Sequence, residues 1–352
     1  MSVSQYRVRS GLFAASLLAG SLAVPVAVAG PAEATAPVSS AGTMRDLGTL
    51  SDGTYSVGRA VNEQGQVAGF GGTAGGNDHA FLWSDADGMR DLGTLGGAAS
   101  SGQAVNDQGQ VAGYGNTTEG ALHAFLWSDV DGMRDLGTLG GQFSEALGVN
   151  SQGQVTGDST TGGNRTEHAF LWSASDGMRN LGTLSGGTTS VGQAVNDQGQ
   201  VAGYGDTADG NSHAFLWSAS DGMRDLGTLG GSFSLAVAVN DQGQVAGYGG
   251  TADGETHAFL WSASDGMRDL GTLSGGTSSG QGVNEQGQAT GFATMENWDN
   301  HAFLWSASDG MRDLGTLSGG TTSLGQGING QGQVVGYGDT ADGSTHAFLW
   351  TP

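Results

Sequence analysis

The pentapeptide HAFLW begins at His79, His123, His168, His213, His257, His301 and His346, so successive copies lie 44 or 45 residues apart. These seven copies hold every histidine of the chain and all but one of its eight tryptophans, leaving Trp298 apart. A fixed period of this size constrains the fold more than composition does. Each unit must be one supersecondary structure that buries its apolar faces against its neighbours.

Within the unit around position 200, four short runs have strand character: 190–196, 200–204, 213–217 and 223–229. Val, Phe, Leu, Trp and Tyr supply the strand formers, and Gly, Asp, Asn and Ser supply the breaks. Asn196-Asp197-Gln198-Gly199 reads as a tight hairpin with Gly at the position needing positive φ, and Ser218 to Gly222 reads as a slightly longer one. Both connections keep constant length in all copies, as hairpins that fix register must. Four antiparallel strands per unit of about 40–45 residues is the signature of a β-propeller blade. The expected fold is therefore all-β, a seven-bladed propeller of four-stranded antiparallel blades.

The phase of the repeat sharpens this expectation. Residues 44–50 form a lone fourth strand, and the chain ends on a third strand at 346–350. The first segment is predicted to pair beside the last, completing the seventh blade and protecting its open edge.

The pattern AVNDQGQVAGY, then HAFLWS, then DGMRDLGTLGG resembles the HAF repeat of bacterial extracellular proteins, and it covers 44–350. The resemblance implies a secreted or surface repeat protein. It carries no shared activity and no catalytic residues.

Residues 1–29 read as a secretory signal. Arg7 and Arg9 open it, an apolar run follows, and Ala27-Val28-Ala29 offers a cleavage site, with Ala32-Glu33-Ala34 as a second. The apolar run is short and interrupted by Gly20, Ser21 and Pro25 for a membrane anchor. Residues 30–43 read as a flexible leader and 44–352 as the propeller. The expected product is an extracellular monomer with no membrane insertion after cleavage. With no cysteine, disulfides and a lipoprotein anchor are excluded. The formal charge of −23 becomes −25 once Arg7 and Arg9 leave with the signal, which argues against nucleic acid as a partner.

Seven histidines, one per unit, are expected to bond backbone or turn groups rather than a shared metal. No metal site is assigned, and no cofactor is expected beyond calcium. Asp85-Ala86-Asp87-Gly88 and Asp129-Val130-Asp131-Gly132 are the turns that distantly resemble calcium loops. No nucleophile triad or phosphate loop is visible, so no catalytic residue is assigned.

Identical positions build the scaffold, and departures from the repeat mark where a site can sit. On the face carrying the connections between the second and third strands, and between blades, these are Tyr55, Phe143, Glu145, Phe233, Arg165, Glu296, Trp298 and Asp299. Aromatic residues on loops held by a rigid scaffold are common contact residues. The reading is a binding module for an extracellular glycan or protein, anchored by Trp298. Its plainer rival folds Trp298 back over strand ends and packs Phe143 and Phe233 between blades. An extracellular polysaccharide hydrolase or lyase would use Glu145, Glu296 and Asp299, and a structural surface protein would use none of them.

Overall fold

The computed structural model describes residues 42–163 and 166–352. The expected signal 1–29, most of the expected leader 30–43 and the candidate Arg165 lie outside the described residues. The chain divides between Ser40 and Ala41, and all strands of the described residues belong to Ala41–Pro352.

The described residues form 28 strands and no helix. After β1 (Thr43–Asp46) come β2 (Ser56–Val61), β3 (Val67–Gly72), β4 (Asp78–Ser84) and β5 (Gly88–Asp91). β2 to β5 pair antiparallel in sequence order. The same order recurs along the chain. Five sheets have four strands, and a sixth has eight because two such units meet at the single parallel pair Phe143 and Leu122.

β1 pairs with none of the strands that follow it directly. It lies antiparallel on the last strand, Thr345–Thr351, with Met44 opposite Trp350 and Asp46 opposite Phe348. The pairing covers Thr43–Asp46 rather than the expected 44–50. One further bond, Leu47 N–H to Ala347 O at 2.9 Å, follows it. Gly48 then turns the chain away at φ 74°. The run 223–229 is cut short in the same manner, ending as Gly222–Asp225 ahead of Gly227 at φ 77°.

A second departure moves three candidate residues. Where Gly96, Gly140 and Gly230 take φ of 93–99°, the chain turns directly onto its neighbour and the first strand lengthens to ten residues. Phe143, Glu145 and Phe233 thus lie within strands Gly140–Val149 and Gly230–Val239, not in connections.

The core is built between successive sheets. The seven HAFLW phenylalanines, from Phe81 to Phe348, are fully buried, each worth about 1.5–3 kcal/mol of apolar burial. A Cβ on Gly203 would stand 1.9 Å from Val191 O and 2.8 Å from the Phe215 ring, so glycine admits both the paired strand and the phenylalanine there. One cluster joins Leu47 and Leu50 with Val67, Phe81 and Trp83 of the first unit and Val335, Ala347 and Leu349 of the last.

Buried polar groups repeat across the same boundaries. Asn196 Nδ2 donates to Asn240 O at 2.9 Å, Asn240 to Asn284 O and Asn284 to Asn329 O. Asn329 donates to Asn62 O, Asn62 to Asn106 O, Asn106 to Asn150 O, and Asn150 to Asn196 O at 3.0 Å, where the series began. A serine in each first strand does similar work. Ser190 Oγ accepts from Ala169 N–H at 2.9 Å and donates to Gly182 O at 2.6 Å. Both pairings leave sealed groups satisfied, as buried polar groups require.

Candidate functional site

The connection from Ala289–Thr294 to Asn300–Ser306 carries the chain's one departure from the HAFLW tryptophans. Met295 N–H bonds Asp299 O at 2.8 Å, and Trp298 N–H bonds Met295 O at 2.9 Å. The equivalent turn at 207–211 uses the same two bonds, with Gly210 in the place of Trp298. Gly76, Gly120, Gly210, Gly254 and Gly343 fill that slot elsewhere at φ of 78–92°. Trp298 holds φ 70°, and Asp52 is the only other non-glycine residue with positive φ among the described residues. A left-handed backbone costs an ordinary side chain roughly 1–2 kcal/mol. Trp298 is 84% exposed, so packing of its ring does not offset that cost.

Glu296 and Asn297 beside it are exposed and Asp299 is half-buried. Asn297 Nδ2 donates to Asp299 Oδ2 at 2.7 Å, and Asp299 N–H returns to Asn297 Oδ1 at 3.2 Å. The neighbouring connection stiffens the turn. Glu296 N–H donates to Ser274 Oγ at 3.3 Å, and Gly275 N–H to Thr294 O at 2.8 Å.

The structure brings Glu296, Trp298 and Asp299 into one turn and leaves the other candidates elsewhere. Tyr55 packs edge-on against Phe70, with centroids 6.5 Å apart, and its hydroxyl bonds Asp78. Phe233 covers Gly250, and Phe143 N–H donates to Thr160 Oγ1 at 3.1 Å; both rings are half-buried on their own sheets.

Glu145 is a correction to the expected loop acid. It lies in a strand, 4% exposed, opposite Asp158, which is 3% exposed. Cross-strand partners stand close enough for their carboxyls to meet, and these hydrogen-bond one another. Burial pushes Glu145 from 4.5 up to about 7 against the lowering by its bond to Asp158, and Glu167 adds to the rise. Burial, then the charge of Glu145, raises Asp158 well above the usual carboxylate range. Asp158 Oδ1 is sealed and accepts no hydrogen bond. Burial first, then Asp158 and Glu145, also raises the Tyr204 phenol in the next unit. Sequence reasoning missed Asp158. Its signal was present: Phe70, Tyr114, Tyr204, Tyr248, Phe292 and Tyr337 occupy its place in the other copies.

The histidines also bond differently from expectation. His79 Nδ1 meets Asp91 at 2.8 Å, and the same pairing with the aspartate of the MRD strand recurs, including His346 with Asp46 at 2.8 Å across the chain. His168 faces Asn180 Nδ2 at 2.9 Å instead. The aspartate reaches this position because it lies opposite the HAFLW phenylalanine, two residues beyond the histidine. In the calcium-like turns, Asp85 and Asp129 bond Arg45 at 2.5 Å and Arg90 at 2.6 Å.

No family model and no curated protein matches the chain. Among solved structures it is similar to the β-propeller domain of the trilobed protease from Pyrococcus furiosus, at 11% identity and TM-score 0.60, covering 84% of this chain and 95% of that one. A lectin from Burkholderia pseudomallei matches at 12% identity and TM-score 0.50, covering 85% and 98%. An acylaminoacyl peptidase from Pyrococcus horikoshii matches at 12% identity and TM-score 0.53, covering 87% of this chain and 52% of that one. At these identities the likeness extends to the fold alone. The chain is a β-propeller.

Proposed function

We propose that this chain is a secreted propeller of seven blades, of the HAF-repeat kind, that binds an extracellular glycan or protein through the turn carrying Trp298. The observation that carries the binding role is a bulky aromatic held out of the core, at positive φ, in a slot that glycine fills in five other units. Strain of this sort persists where the surrounding bonds enforce it, and it concentrates at ligand-contacting positions. The bonds from Ser274 and Gly275 supply that enforcement. Closure by the first strand is supported by the β1 register, by the cluster around Leu47 and Leu50, and by the asparagine series that returns to Asn62. Secretion rests on the signal pattern at 1–29, and calcium has no role in this reading.

Trp298→Gly separates binding from folding. Glycine removes the strained contact at a modest entropic cost, so the variant is expected to match or exceed the parent in stability by up to about 1 kcal/mol. Binding to glycan arrays and to proteins captured from the extracellular milieu is expected to disappear. A variant that melts at or above the parent temperature and still binds every partner of the parent removes the proposal.

A further inference from the structure

The seven HAFLW tryptophans share a feature that Trp298 lacks. Each carries an arginine guanidinium over its ring, with the carbon centre 4.9–5.3 Å from the centroid, from Arg45 over Trp83 to Arg312 over Trp350. The arginine comes from the MRD or MRN strand before each unit, so the contact crosses from one unit to the next. In two of these sites a carboxylate completes the group: Asp85 on Arg45 and Asp129 on Arg90. Among the described residues no guanidinium lies over Trp298.

Its surroundings are anionic. Glu296 and Asp299 flank it, and Glu255 lies beside Gly276 of the connection that braces the turn, its Oε2 3.0 Å from where a Cβ would stand. The three segments 252–256, 273–277 and 295–300 contain no lysine or arginine. The whole chain adds a net charge of −23 to this local field. A cation is drawn to the face of an indole and to nearby carboxylates, and the flat, weakly hydrated guanidinium suits both better than an ammonium.

We propose that Trp298 is the receptor for an arginine side chain of a basic partner protein, with Glu296 and Asp299 holding the guanidinium. The site rebuilds between two molecules the arginine–tryptophan contact that this chain makes between its own units. The inference rests on the binding role given to the Trp298 turn and narrows its partner. Opposite charge speeds encounter and sets specificity, and a central tryptophan supplies the anchor.

The test uses the full secreted chain and three synthetic peptides of equal length carrying spaced arginine, lysine or citrulline. The arginine peptide is expected to bind with a change in Trp298 fluorescence and with affinity that falls as salt rises. The lysine peptide is expected to bind several-fold more weakly and the citrulline peptide, flat but uncharged, not at all. Trp298→Ala is expected to weaken arginine-peptide binding about tenfold or more, while Trp298→Gly, which relieves the backbone, controls for folding. Equal affinity for arginine and lysine peptides, or an undiminished Trp298→Ala variant, overturns the inference. A neutral glycan that binds through Trp298 while the arginine peptide does not would overturn it too, yet leave the binding turn standing. Failure of every probe on the parent chain would count against both.

Discussion

Replacing Glu145 by Val together with Asp158 by Tyr is expected to stabilise the protein by about 3 kcal/mol or more at pH 8 and by little near pH 4. The pair is taken from the fourth unit, where Val191 stands opposite Tyr204 in the same register. Burial pushes Glu145 up to about 7 in the fold, against 4.5 in the unfolded chain. Below pH 4.5 both states hold the proton and the group is neutral in the balance. Between 4.5 and 7 the unfolded chain ionises while the fold stays protonated, so stability falls as pH rises. Above 7 the loss is complete, at roughly 1.4 kcal/mol for each pH unit separating the two values. Asp158, also raised, pushes in the same direction.

Other groups set the acid limb. Burial alone would raise Asp206, Asp313 and Asp339, but the hydrogen bonds each accepts together outweigh it and hold all three below their usual value. Their contribution is present above 3.8 and fades as pH falls. His301 is raised by its bond to Asp313, so its contribution is full below 6.5 and fades above. Stability should therefore peak in mildly acidic solution. Denaturant midpoints of parent and double variant across pH 4–8 check this. Parallel curves, or a parent that gains stability between pH 5 and 8, would show that the buried carboxyls do not govern the alkaline side.

The second large effect belongs to the first strand. A chain beginning at Ser51 lacks β1, the Arg45 guanidinium over Trp83, the Asp46 partner of His346, and Leu47 and Leu50 from the joint between first and last units. The two leucines alone are each worth about 2–5 kcal/mol when removed from a core. A typical domain has only about 5–15 kcal/mol in total. Loss of β1 also bares the edge of Thr345–Thr351, which invites pairing between chains. The truncated chain is expected to lose its cooperative melt and to aggregate, while a chain beginning at Ala41 keeps the parent behaviour. A synthetic peptide spanning 41–53 should restore a monomeric, cooperative species. An unchanged melt after truncation at Ser51 would mean that the fold does not depend on its first strand.

Much of this architecture could be read from the letters. The period fixed the number of strands per unit, and the glycines of the two hairpins, at positions such as Gly199 and Gly222, do take positive φ near 71°. The phase of the repeat placed 44–50 against the final strand because an unpaired third strand needs a neighbour. Strand ends were less legible. Gly48 and Gly227 bend the chain away after Asp46 and Asp225, and a propensity scan cannot tell a turning glycine from one admitted for close packing.

The site was harder, since its partners come from different units. Glu145 looked like a loop acid because the early turn at Gly140 that draws it into a strand is invisible without coordinates. Aligning the copies would have exposed Asp158 as an aromatic lost and Trp298 as a glycine lost. The asparagine series and the arginine–tryptophan contacts were not foreseeable from spacing, since donor and acceptor belong to consecutive units and meet only when sheets pack.

Joining the two ends of the described chain by a covalent bond tests the account at its root. Thr43 and Thr351 are exposed and stand directly opposite in the antiparallel pair. Facing Cα atoms there are about 4.5–5.5 Å apart, within the reach of a disulfide. The chain has no cysteine of its own, so Thr43→Cys with Thr351→Cys introduces a single possible bond. Mild oxidation should give a monomer without free thiols that melts well above its reduced form. Two thiols that stay free, or that link only separate chains, would contradict the closed ring.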